Sequence, residues 1–284
     1  MSALAVAGAS GADRPIGVFD SGVGGLSVLN ALRAELPHER FVYFADTAHA
    51  PYGERGDAFV ARRTTAIARH LIDEHGIKAL VVACNTATAA AIHELRAAYP
   101  ALPVIGVEPA LKPAVALSKT RHIAVIATRV TLESRKFDVL RGSLAAQAHF
   151  HIVPCDGLAG AIERADSVRI ATLCEKYLGA VGAFGDQPGQ VDTLVLGCTH
   201  YPFITGELRR WTGDAVRFID TGAPVAQQTR RLLQNAGQLD TEGAGGVLML
   251  SSAAPEALDA ATARWLDGSV DRAIRAWAAD MTAA

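Results

Sequence analysis

Two apolar runs that end in cysteine recur 114 positions apart in this chain: LVVACNT (80–86) and LVLGCTH (194–200). A second pair, IGVFDS (16–21) and IAVIAT (123–128), recurs in the same order at an offset of 107. Buried strands resemble one another because Val, Ile and Leu dominate them, so neither match alone means much. Two matches in one order at nearly one offset point to an internal duplication. Each unit then offers a cysteine and a small hydroxyl residue at the carboxyl end of a strand, where open α/β sheets bind ligands.

The rest of the chain fits such a plan. Strands are expected at 15–20, 41–46, 79–84, 103–107, 122–128, 150–154, 193–198, 217–220 and 247–251. Helices are expected near 26–36, 57–75, 86–98, 131–145, 167–183, 223–236, 255–267 and 270–279. In the first, Leu26, Leu29, Leu32 and Leu36 recur at helical spacing; in the second, Ile67, Leu71 and Ile72 form the inner face. Strands alternating with helices imply parallel sheets covered on both faces.

The 284 residues are half apolar and one-fifth charged, enough for about two domains with real cores. A net charge of −2 argues against a protein that tracks nucleic-acid phosphates. No apolar run approaches the roughly 18 residues that cross a bilayer. MSALAVAGASGADR at the start lacks the basic head of a signal peptide and reads as a flexible tail. Four scattered cysteines with no CxxC pair fit reduced thiols in the cytosol rather than a disulfide scaffold.

Four motifs could carry chemistry. DSGVGG (20–25) is a glycine-rich turn between strand and helix; it lacks the third glycine of a dinucleotide fingerprint and the lysine of a P-loop. It reads either as a plain turn or as a seat for a small ligand with both charges, Asp20 taking an amine and backbone N–H groups a carboxylate. APYGER (50–55) is a loop whose Tyr52 either packs or hydrogen-bonds at a site. ACNTAT (83–88) sets Cys84 before a helix, with Asn85 and Thr86 as possible donors to a carboxylate. GCTHYP (197–202) repeats this with Cys198 and adds His200. A cysteine has an ordinary pKa of about 8.5, and helix N-termini after both cysteines are expected to lower it. A buried structural cysteine is the bland reading of each, and a metal at Cys198 and His200 is disfavoured because no further ligand completes a site. Cys155 and Cys174 have no supporting constellation, and Glu163 reads by itself as a solvated helix residue.

DSGVGG, PYG, CNTAT and CTHYP, in that order, resemble glutamate racemase over about residues 15–240, within the cofactor-independent aspartate/glutamate racemase superfamily. The resemblance implies two similar α/β domains with parallel sheets flanked by helices, related by a pseudo-two-fold axis, with the active site in the cleft between them. It implies interconversion of L- and D-glutamate without a cofactor, feeding D-glutamate to peptidoglycan, and a homodimer. By position, Cys84 and Cys198 match the two catalytic cysteines, and Asp20, His200 and Glu163 match residues that assist them. Ser21, Pro51, Tyr52, Gly53, Asn85, Thr86, Thr128 and Thr199, together with Asp20, match positions that line the glutamate pocket. The expected organisation is a flexible extension over 1–14, a discontinuous first domain of 15–106 plus 221–284, and a second domain of 107–220. The rival readings are an aspartate or hydantoin-type racemase, a two-lobed amino-acid-binding protein, and a nucleotide-dependent oxidoreductase using the glycine-rich turn.

Overall fold

The computed structural model describes residues 11–267 and the backbone of a strand at 272–276. The first stretch alternates β1 (Ile16–Asp20), α1 (Leu26–Glu35), β2 (Arg40–Ala45), α2 (Asp57–His75), β3 (Ala79–Val82), α3 (Asn85–Ala98) and β4 (Val104–Gly106). Then come α4 (Leu111–Leu117), β5 (His122–Ala127), α5 (Arg129–Glu133), α6 (Arg135–Leu144), β6 (His149–Pro154), α7 (Leu158–Glu163) and α8 (Ser167–Gly179). The chain continues through β7 (Thr193–Gly197), α9 (Thr205–Thr212), β8 (Arg217–Ile219), α10 (Gly222–Asn235), β9 (Gly246–Ser251), α11 (Pro255–Trp265) and β10 (Arg272–Ala276).

Two parallel sheets result, with strand orders β10-β9-β2-β1-β3-β4 and β6-β5-β7-β8. The run β2-β1-β3-β4 in the first sheet matches β6-β5-β7-β8 in the second. The motif pairs seen in the sequence fall on equivalent strands: β1 with β5, and β3 with β7. All five residues of β1 are buried, as are those of β7, because each sheet carries apolar packing on both faces. That burial is why these strands read as unbroken apolar runs rather than alternating ones.

Local sequence sets the helix limits. In α2, Ile67 and Leu71 lie one turn apart and are fully buried, while Ile72 is half-buried. Gly76 follows at φ +56°, and its N–H caps the carbonyl of Ile72. Glycine reaches that left-handed conformation without the Cβ penalty, so the helix stops there. The two cores meet at Phe203 and Trp265, whose rings stack 4.6 Å apart at 5° and contact apolar clusters of both sheets.

Several expectations need correction. The helix expected over 270–279 is instead β10 at Arg272–Ala276, paired in parallel with β9; the remainder of that span lies outside the described residues. The edge of β9 otherwise presents a row of unpaired N–H and C=O groups, and pairing them outweighs local helix propensity. The single helix expected over 131–145 is two, because Ser134 takes an extended conformation and its hydroxyl accepts the Phe137 N–H at 3.2 Å. Helices α4 and α9 carry too few residues for a periodic signal and were not expected. Residues 1–10 of the tail lie outside the described residues. Residues 11–14, expected to be flexible, are docked: Gly11–Asp13 form a 3₁₀ turn, and Arg14 donates to the carbonyls of Gly76 and Ile77.

Candidate active site

Both repeated cysteines sit just past the carboxyl ends of their strands. Cys84 follows β3 and caps α3, its sulfur accepting the Ala87 N–H at 3.4 Å. Cys198 directly follows β7. Each is only 6% exposed. The Cys84 thiol donates to Ser21 Oγ at 3.6 Å, and Cys198 Sγ lies 3.6 Å from His200 Nδ1. Burial and then Asp20 are the main causes that raise the Cys84 thiol, and Cys198 adds a smaller electrostatic push, so the two sulfurs are electrostatically linked.

A chain of polar contacts crosses from one half to the other. His200 Nε2 lies 2.7 Å from Glu163 Oε1, and that same oxygen accepts the Val23 N–H at 3.0 Å. Ser27 Oγ donates to the Thr199 carbonyl at 2.7 Å, and the Thr86 and Thr128 hydroxyls are 3.3 Å apart. The glycines of DSGVGG make this approach possible. A Cβ on Gly22 would strike the Glu163 carboxylate, and one on Gly24 would strike the His200 ring. Gly22→Ala is therefore expected to displace Glu163 and lower turnover by about 10²-fold, the cost of misplacing a site by roughly an ångström, with little change in the far-UV circular dichroism spectrum.

The turn is not a free anion cradle, contrary to one reading of its sequence. Gly22 N–H donates to Asp20 Oδ2 at 3.0 Å and Val23 N–H to Glu163, so the chain's own carboxylates take these amides. Two other groups are left available to a ligand. Asp20 Oδ1, and both the oxygen and the nitrogen of the Asn85 amide, are buried without a hydrogen-bond partner. Unpaired buried polar atoms cost free energy unless something binds there. An unpartnered carboxylate oxygen and an unpartnered amide together suit the two ends of a small zwitterion.

The family model described as Asp/Glu/Hydantoin racemase matches residues 26–229. A glutamate racemase from Ralstonia nicotianae is 48% identical over 85% of this chain and 86% of its own length. One from Pseudomonas syringae pv. tomato is 44% identical over 87% and 88%. The chain belongs to the glutamate racemase family. Among solved glutamate racemases, the RacE1 isoform of Bacillus anthracis aligns with a TM-score of 0.81 at 29% identity, over 93% of this chain and 98% of its own. The Thermus thermophilus enzyme aligns at 0.75 and 38%, over 93% and 97%. This chain is thus a racemase, an isomerase by class.

In this family member burial governs the titrations. Burial, reinforced by the Asp20 carboxylate, pushes the Cys84 thiol up to about 12, against the weaker pull of the Ala87 N–H. The expectation that helix N-termini would make both cysteines acidic therefore fails at Cys84. The other half of that expectation lacks its helix: Cys198 precedes a 3₁₀ turn, Tyr201–Ile204, with Pro202 at its start. Burial also lifts the Asp20 carboxyl to about 6, with His200 opposing and Glu163 adding to the rise. His200 is the reverse case. Burial works against its charge, yet the contact with Cys198 and the pairing with Glu163 hold the imidazole well above its ordinary value. Glu163, also opposed by burial, is held below the usual carboxylate range by His200 and the Val23 N–H.

The PYG loop arrives through a cis Ala50–Pro51 peptide. Gly53 faces Thr128 so closely that a Cβ would sit 3.3 Å from its methyl group. The Tyr52 hydroxyl is committed elsewhere, donating to Asp46 Oδ2 at 2.6 Å, where Arg63 also binds. Sequence reasoning missed Tyr43, whose hydroxyl donates to the Gly22 carbonyl at 3.0 Å and fixes the turn from below. It also missed Ser27, which stands where a dinucleotide fingerprint would have glycine.

Proposed function

We propose that this protein interconverts L- and D-glutamate by proton transfer between Cys84 and Cys198, and so supplies D-glutamate for peptidoglycan. The supporting observation is the unequal pair of buried, electrostatically linked sulfurs: a Cys84 thiol beside Ser21 and under the influence of Asp20, and a Cys198 sulfur against a cationic His200. Glutamate complexes of relatives support the substrate: the Escherichia coli enzyme with L-glutamate and the Francisella tularensis enzyme with D-glutamate.

Racemisation requires a base on one face of Cα and an acid on the other. The His200 imidazolium stabilises a thiolate at Cys198, which takes the α-proton. The electron pair left on Cα delocalises into the substrate carboxylate, where the Asn85 amide with Thr86, Thr128 and Thr199 donates to the developing enediolate. The Cys84 thiol then delivers its proton to the opposite face. The turnover ends with Cys198 protonated and Cys84 a thiolate, a state poised for the reverse direction and reset by proton exchange. Asp20 holds the substrate ammonium and orients Cys84, while Ser21, Pro51, Tyr52 and Gly53 close the pocket wall. Four unpaired thiols suit the cytosol in which cell-wall precursors are made.

The test is a chiral assay of purified protein with L-glutamate and no added cofactor; D-glutamate must appear, and failure to form it rejects the reading. Two pH limbs are expected in kcat/KM. Activity falls as pH drops through about 6, where Asp20 becomes protonated, and Asp20→Asn removes that limb together with most activity. Glu163→Gln withdraws the group that keeps His200 charged, so His200 loses its proton at lower pH. The alkaline limb then moves down by about 1–3 units, the usual effect of losing one close opposite charge. An unmoved limb would rule out a cationic His200 in turnover.

A further inference from the structure

Three histidines outside the cleft share one face of the second sheet. His122 on β5 is paired in register with His149 on the edge strand β6, and His151 follows two residues later. Alternation along a strand puts all three on the same side. Their ring centroids lie 5.3 Å (122–149), 5.6 Å (122–151) and 4.7 Å (149–151) apart. His122 and His151 are half-buried and His149 is exposed. Neither the fold nor the racemase reaction accounts for such a concentration of imidazole.

We propose that His122, His149 and His151 form a binding site for a divalent transition metal of the zinc, cobalt or nickel class. His122 Nδ1 and His151 Nε2 are 3.3 Å apart. With one ring protonated at the facing nitrogen this contact is a hydrogen bond, and its length has a second meaning. It is the spacing of two imidazole ligands on one tetrahedral ion, since nitrogens about 2.05 Å from zinc at a tetrahedral angle lie about 3.3 Å apart. As they stand, no group of three His, Cys, Asp or Glu side chains among the described residues is placed to hold a metal ion, these histidines included. The third ligand therefore comes from rotation of the His149 ring, which its exposure allows. Imidazole without carboxylate or thiolate partners selects transition metals over calcium or magnesium. A bound ion would tie edge strand β6 to β5 across the ladder at the amino-terminal end of β5, the opposite end of that strand from Thr128.

The probe is cobalt(II) chloride titrated into the full-length, metal-stripped protein, followed by visible absorption and equilibrium dialysis. The expected result is one saturable equivalent with ligand-field bands and no near-ultraviolet sulfur-to-metal charge transfer, which separates this site from Cys84 and Cys198. Removing a direct ligand must cost at least what losing its outer support costs, about 10–100-fold in affinity. His122→Ala, His149→Ala and His151→Ala should each weaken binding at least tenfold while racemase activity and far-UV circular dichroism stay unchanged. His149→Ala, at an exposed position, keeps the test valid if a half-buried variant misfolds. No saturable binding, binding that survives in the H122A/H151A double variant, or a thiolate charge-transfer band overturns the proposal.

Discussion

Cys84→Ala and Cys198→Ala are each expected to lower glutamate racemisation by at least about 10²–10⁴-fold, the range a positioned acid or base contributes. The loss should appear in kcat, with KM for glutamate changed far less, because either variant keeps the unpartnered Asn85 amide and Asp20 carboxylate proposed to hold the substrate. In deuterium oxide the wild-type protein should place deuterium at Cα of the product from either enantiomer, because a thiol that exchanges with solvent delivers it. Wild-type rates in either alanine variant, or product free of deuterium from both directions, would remove the two-base scheme. The family assignment would survive that result; the mechanism would not.

The second large effect concerns stability. Glu39 and Lys78 form an ion pair at 2.5 Å with 1% and 2% exposure. Lys78 also donates to the carbonyls of Ala12 and Gln238, and Glu39 accepts the Asp240 N–H. One ammonium thus joins the turn at Gly11–Asp13, the residue just before β2 and the loop after α10. Glu39→Ala leaves that ammonium buried without its counter-charge, which costs about 3–5 kcal/mol. Domains are stable by only about 5–15 kcal/mol, so the urea midpoint should fall steeply. Glu39→Gln combined with Lys78→Met should recover much of the loss, because removing both charges together avoids the unpaired state. A single variant within about 1 kcal/mol of wild type would show that water reaches this pair.

The central strands were legible because a strand covered on both faces has little choice of residue. β1, β3, β5 and β7 appear as plain apolar runs, and their duplication announced two sheets of like order. The cysteines were legible from their place at the ends of those runs. What stayed hidden depends on partners distant in sequence. β10 exists because β9 offers an edge, which no window around 272–276 can reveal. Ser134 divides a helix through one hydroxyl bond. Glu163, in LAGAIER, has the neighbours of an ordinary surface residue, and only the fold brings its carboxylate to His200 and the Val23 amide. The acidity of Cys84 was misjudged for a related reason. A helix N-terminus can be read from adjacent residues, but the burial and the Asp20 charge that outweigh it cannot.

Polar links join the two halves, Val23 to Glu163, Ser27 to Thr199 and Thr86 to Thr128, and both cysteines are buried. On the proposed mechanism an amino acid reaches these sulfurs, or departs, only when some of these contacts part. On that mechanism each catalytic cycle is expected to include a breathing motion that owes nothing to carbon acidity. When that motion is the slow step, added viscogen will retard turnover, and a deuterium label at Cα will scarcely alter the observed rate.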